Sequence, residues 1–105
     1  MQFVSAGKVG VAAAGTPQPL ALGVRTVRFL RFTPAPSATG KVYIGSNGMV
    51  KATLAGVGKV FLPPGAAGYY DSYDIGPFDD EEIDTTNFYL DADTNGEGPL
   101  VTYAT

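Results

Sequence analysis

The sequence predicts an all-β domain, a single β-sandwich or jelly-roll-like unit of about seven or eight short antiparallel strands. Three observations carry that expectation. Fourteen Gly and eight Pro, spread along 105 residues, cut the chain into pieces too short for ordinary helices. β-branched and aromatic residues fill those pieces, and such side chains suit a pleated, half-buried surface. Turn signals recur at the spacing of a sandwich, with no helical period between them. The length suits one core, so 1–105 reads as one domain.

Residues 1–7 read as an extended arm. A first strand is expected at 8–14, ended by Gly15 and by Pro17 and Pro19, which cannot donate to a ladder. The strongest strand signal is 24–33, stopped by Pro34 and Pro36. Another at 41–45 meets Asn47-Gly48, a pair suited to the positive φ of a tight hairpin turn, and 49–54 returns from it. A short strand at 60–62 closes on Pro63-Pro64-Gly65. Residues 66–86 read as an irregular acidic loop with room for one helical turn at 79–84. The strands 87–93 and 99–103, joined by Thr94-Asn95-Gly96-Glu97-Gly98, read as a closing hairpin.

Composition removes several function classes. Without cysteine there are no disulfides or thiolate ligands, and without histidine there is neither the commonest general base nor the most frequent transition-metal ligand. Seven Lys and Arg against a net charge of -3 make no basic stripe for phosphates, so nucleic acid is not an expected partner. No run of about 18 apolar residues predicts a membrane span, and no charged segment followed by an apolar one predicts a cleaved secretory signal. A soluble protein is expected.

The stretch "LDADTNGEGPL", 90–100, resembles a calcium loop, with Asp91, Asp93, Asn95 and Glu97 as candidate ligands. An EF-hand-like loop counted from Asp91 needs a bidentate Glu at its twelfth position, where Thr102 stands, and Pro99 takes the ninth. Alternation puts Asp91 and Asp93 on one side and Phe88, Leu90 and Ala92 on the other, so a hairpin with polar residues outward accounts for the stretch without an ion. No resident metal or cofactor is expected. The acidic run 79–84 is a poor catalytic pair, because adjacent acids rarely straddle a substrate. The serines lack a histidine to activate them, and Gly40-Lys41 is followed by Val where a phosphate loop needs Ser or Thr. An enzyme is not expected.

What the sequence offers instead is surfaces. Between 24 and 32 both strand parities mix apolar groups with arginine, and Val42-Tyr43-Ile44 is apolar on both sides. The second apolar face needs cover, from a neighbouring element or from another chain. Candidate contact residues are Arg25, Val27, Phe29, Arg31, Tyr43, Tyr69, Tyr70, Tyr73 and Phe78. Arg25, Arg28 and Arg31 on one strand and Asp79, Asp80, Glu81, Glu82 and Asp84 in one loop are either solvated charges or patches that steer docking. Tyr69, Tyr70 and Tyr73 beside Asp71 and Asp74 are either core and interface anchors or a glycan platform.

The order of motifs adds a resemblance. Gly15-Thr16-Pro17 leads to Leu20, then "VRTVRFLRF" (24–32), "TGKVYIGSNGMV" (39–50), "LPPG" (62–65), an acidic stretch and "NFYLDADTNGEGPLVTY" (87–103). This series resembles small virion proteins of tailed bacteriophages, in which a V-R-F strand, a TGxVYVG hairpin, an L-x-PG turn and a closing YVDADTxGEGVxVxY hairpin follow in this order. Pro99 stands where the last strand of that pattern begins with Val, and "YYDSYDIGPFDDEE" (69–82) is longer than its acidic link. The resemblance implies a β-sandwich made in the bacterial cytoplasm that decorates or cements the capsid. Its implied partner is the major capsid protein, bound as a homotrimer or other homo-oligomer in many copies on the virion surface. A head-fibre or tail adhesin domain that binds host surface glycans is the alternative it implies.

Overall fold

In the computed structural model, which describes residues 2–65 and 72–105, ten short strands follow one another. They are β1 (Phe3–Lys8), β2 (Gln18–Pro19), β3 (Thr26–Val27), β4 (Phe29–Thr33), β5 (Val42–Val50), β6 (Ala55–Phe61), β7 (Tyr73–Ile75), β8 (Ile83–Asp84), β9 (Tyr89–Ala92) and β10 (Leu100–Ala104). A 3-10 turn at Thr85–Asn87 separates β8 from β9. The expected all-β sandwich is what forms. One sheet has the order β1-β10-β4-β7, the other β2-β9-β5-β6, and β3 and β8 make a small third pair. Every pairing between strands is antiparallel.

Alternation builds the core. Leu30 and Phe32 of β4 and Val101 of β10 face Val42 and Ile44 of β5 and Leu90 and Ala92 of β9, and Val11, Leu20, Val27, Phe61 and Ile83 complete the cluster. Phe32 is the centre of its aromatic part, stacked on Tyr73 at 6.1 Å and tilted against Phe88 at 5.9 Å between ring centroids. With no disulfide available, burial of these side chains, each worth about 1.5–3 kcal/mol, supplies the main drive to fold.

Several expected elements differ. Residues 1–7 are not a free arm, since Phe3–Lys8 pair with β10 as an edge strand, with a bulge between Ser5 and Gly7. The stretch 8–14 leaves the sheet after Lys8 and runs beside 95–99, where Val9 N donates to Pro99 O (3.0 Å), Val11 N to Glu97 O (2.9 Å) and Gly96 N to Val11 O (2.7 Å). A Cβ on Gly98 would stand 1.8 Å from Val9 O, so only glycine lets the two backbones approach this closely. The 24–33 strand breaks at Arg28: β3 pairs with β8, and β4 with β10 and β7.

Asn47-Gly48 does not turn the hairpin. β5 continues through it to Val50, and the chain reverses over 51–54. Register passes from Gly45 opposite Val57 to Val50 opposite Ala55, leaving residues 46–49 against Gly56 alone. The excess of four residues against one makes a large irregular bulge, where Gly48 uses its φ of +85°. Within 66–86, residues 66–71 lie outside the described ones, and the rest includes β7 and β8. No helical turn forms at 79–84; the 3-10 turn begins one residue later, and Asp84 caps it by accepting from Thr86 N at 3.0 Å. Nor is 87–103 a hairpin. β9 belongs to one sheet and β10 to the other, so 93–99 is a crossover between layers.

Candidate functional site

The crossover gathers the four candidate calcium ligands, and protein donors occupy each of them. Asp91 is 1% exposed and accepts from Gly15 N (2.9 Å) and Ala92 N (2.8 Å). Its parity points outward as expected, but the 9–16 loop covers it, which corrects the expectation of a solvated carboxylate. Asp93 accepts from the Tyr43 hydroxyl (3.1 Å) and Lys51 Nζ (3.2 Å). Asn95 Oδ1 accepts from Ala14 N at 2.7 Å. Glu97 accepts from Thr39 N (2.7 Å), Thr39 Oγ1 (2.8 Å) and Gly40 N (3.1 Å). Burial pushes the Glu97 carboxyl up, but these bonds and the Lys8 charge outweigh it and hold the group below its ordinary value. The oxygens thus serve as latches between loops. Among the described residues no three acidic side chains converge as a metal cluster.

Tyr43 lies on the outer face of the β2-β9-β5-β6 sheet, and the chain covers that face itself. A straight β5 rising about 3.3 Å per residue would carry Lys51 roughly 30 Å past Ala92, the register partner of Val42. Instead Lys51 Nζ is 2.9 Å from Ala92 O and 3.2 Å from Asp93 Oδ1, because the bulge at 46–49 bends the hairpin tip back over the sheet. Tyr43 is left 7% exposed. Burial first, then its bond to Asp93, raises the Tyr43 hydroxyl above its ordinary pKa. The second apolar face is therefore closed by a neighbouring element of the same chain.

On the outer face of the β1-β10-β4-β7 sheet Phe3, Arg31 and Asp74 remain accessible. Phe3, Ala104 and Phe29 are in register across β1, β10 and β4, and the Phe3 and Phe29 rings meet edge to face at 5.7 Å. Phe29 is thereby 7% exposed, whereas Phe3 remains 63% exposed on the edge strand. The next row is Ser5, Thr102, Arg31 and Asp74. Arg31 lies 5.4 Å from the Phe29 ring centroid and donates to both carboxylate oxygens of Asp74, at 2.9 and 2.8 Å. Those hydrogen bonds hold the Asp74 carboxyl below its ordinary value and raise Arg31.

The remaining candidates are scattered. Val27 is 1% exposed and belongs to the core, not to a contact surface. Arg25 pairs with Asp84 at 3.5 Å, and Arg28 donates to the Asp79 carbonyl, so these arginines meet the acidic segment within the chain. Tyr73 and Phe78 are half-buried against the core. Tyr69 and Tyr70 lie outside the described residues. Sequence reasoning missed Phe3, Val50 and Leu54, which are 63%, 47% and 54% exposed. For Phe3 the available signal was the β-prone start of "FVSAGK", which was assigned to an arm; for the other two it was hidden by the misplaced turn.

No protein-family model, curated protein or solved structure matches this chain. No helix among the described residues is long and apolar enough to cross a membrane.

Proposed function

We propose that this chain is a structural virion protein of a tailed bacteriophage that decorates or cements the capsid by bridging major capsid subunits. The virion assignment rests on the order of motifs between Gly15 and Tyr103. The docking surface rests on one observation: Phe3, 63% exposed on an edge strand, continues an aromatic row with Phe29 beside the paired charges of Arg31 and Asp74. An apolar centre with a charged margin is the usual anatomy of a protein interface. A free strand edge next to it adds backbone donors and acceptors for a partner strand.

In this role the protein acts by burial repeated over many copies. Each contact is modest, and a lattice of them holds the shell. The major capsid protein is the partner, the virion surface is the location, and no chemical step is involved. Heating and osmotic shock of particles with and without this protein test the reading. Particles lacking it are expected to lose their contents at a lower temperature, and equal survival of the two preparations would overturn the cementing role.

A further inference from the structure

The chain carries two Asn-Gly pairs, Asn47-Gly48 and Asn95-Gly96, and both asparagines are exposed. In such a pair the backbone nitrogen of the glycine can attack the asparagine side-chain amide, because glycine has no Cβ to hinder the ring that forms. Both glycines have positive φ, +85° and +82°, and a Cβ on either would meet nothing within 4 Å. Exposure, backbone region and open space are thus matched. What differs is how the reacting groups are held.

At the crossover both reacting groups are engaged. Asn95 Oδ1 accepts from Ala14 N at 2.7 Å, Gly96 N donates to Val11 O at 2.7 Å, and Glu97 N closes the turn on Thr94 O at 3.3 Å. The attacking nitrogen keeps its proton, and the side-chain carbonyl is tied to another loop. In the β5 bulge none of this holds. Pairing of β5 with β9 stops at Gly45, and on β6 residues 46–49 have only Gly56 opposite, so Gly48 has no register partner on either side. Among the described residues no hydrogen bond of the Asn47 side chain holds it away from the glycine nitrogen.

We propose that Asn47-Gly48 is a self-modifying site, at which the folded chain converts asparagine to aspartate and isoaspartate with water as the only co-reactant, while Asn95-Gly96 stays intact. Gly48 N, its proton lost to solvent base, forms a bond to Asn47 Cγ. The Cγ–Nδ2 bond breaks, and the amide takes up a proton and leaves as ammonia. Water then adds to either carbonyl of the cyclic imide and opens it, giving aspartate when the Gly48 N–Cγ bond breaks and isoaspartate when the original peptide bond breaks. The sum is one water in and one ammonia out, with no change of oxidation state. Isoaspartate lengthens the main chain by a methylene, which in a ladder would shift the register. Residues 46–49 are already unmatched on both sides, so the pairing around them persists. Either product adds a negative charge within 45–58, where Lys51 is the only charged residue. The reaction needs no partner and stands apart from the virion reading.

Incubation of the purified chain in neutral and mildly alkaline buffer, folded and in urea, tests this, with peptide mapping by mass spectrometry to locate each new acid. The folded chain is expected to gain acid at 47 about tenfold or more faster than at 95. Alkali should speed the reaction, because the attacking nitrogen must lose its proton. In urea the two pairs should react at similar rates, which assigns the difference to the fold. Both aspartate and isoaspartate should appear at 47, and the modified fraction, separated by ion exchange, should unfold as cooperatively as the unmodified one. Equal rates at 47 and 95 in the folded chain overturn the proposal, as does a difference that persists unchanged in urea. Aspartate without isoaspartate means direct hydrolysis and overturns the imide route.

Discussion

The two main sheets have outer faces of similar sequence character and opposite fates. On the β2-β9-β5-β6 sheet, Tyr43 and Asp91 face outward and are nevertheless 7% and 1% exposed, because the hairpin tip and the 9–16 loop fold over them. On the β1-β10-β4-β7 sheet, Phe3 and the Arg31–Asp74 pair remain exposed on the surface. The difference teaches that an apolar outer face is not by itself an interface. What distinguishes the second face is that Phe3, Arg31 and Asp74 stay accessible on it, beside the edge strand β1.

The closed face can be broken in order of effect. Gly98→Ala drives a Cβ into the Val9 carbonyl, separates the 9–14 loop from the crossover, and is expected to destabilise the fold by about 3 kcal/mol in urea titrations. Asp91→Ala leaves the Ala92 amide buried without its carboxylate acceptor, with an expected loss of about 2 kcal/mol in the same assay. Lys51→Met frees the tip from Ala92 and Asp93 at a cost below about 1 kcal/mol; amide exchange over 46–56 should quicken while the core strands stay protected.

Acid sharpens the same comparison. The Glu97, Asp74 and Asp84 carboxyls all lie below their ordinary values in the fold. Their contribution is fully present above the unfolded pKa values and is lost as pH falls through the lower, folded ones. Stability should therefore decline once pH drops below 4.5, the ordinary value for glutamate, and the Glu97→Gln variant should show a shallower decline. An unchanged slope in that variant would deny Glu97 its latching role. Small too is the expected effect of Phe3→Ser on the β1-β10-β4-β7 sheet, about 1 kcal/mol, because the ring is 63% exposed and its stabilising contact is the edge-to-face pair with Phe29. Under the proposed function this variant should fail to attach to capsids.

The fold class was legible because Gly and Pro spacing and β-prone composition are local signals. What was not legible depended on the rest of the molecule. Asn47-Gly48 does supply a positive φ, but for a bulge, since the turn that ends β5 is set by where the tip can dock. Adjacent strands usually pair, which favoured a hairpin at 87–103; β9 and β10 instead enter different sheets. Alternation correctly placed Asp91 outward, and no local rule foretold the loop that buries it. The arginines at 25, 28 and 31 and the acidic segment read as solvated charges or docking patches, and the fold uses them otherwise: Arg25 meets Asp84, Arg28 the Asp79 carbonyl, and Arg31 meets Asp74, outside that segment. Phe29 and Arg31 do come together on one face, whereas Tyr43, Val27, Tyr73 and Phe78 are held elsewhere by the core and by the folded hairpin.

The proposed role gives this chain a place and an orientation on the capsid, which an electron cryo-microscopy map of the assembled particle reveals. Density for this sandwich is expected on the capsid surface in many symmetry-related copies, with Phe3 and the outer face of the β1-β10-β4-β7 sheet turned toward the major capsid protein. A particle whose capsid lacks that density, or one in which this face looks into solvent while another touches the shell, would contradict it.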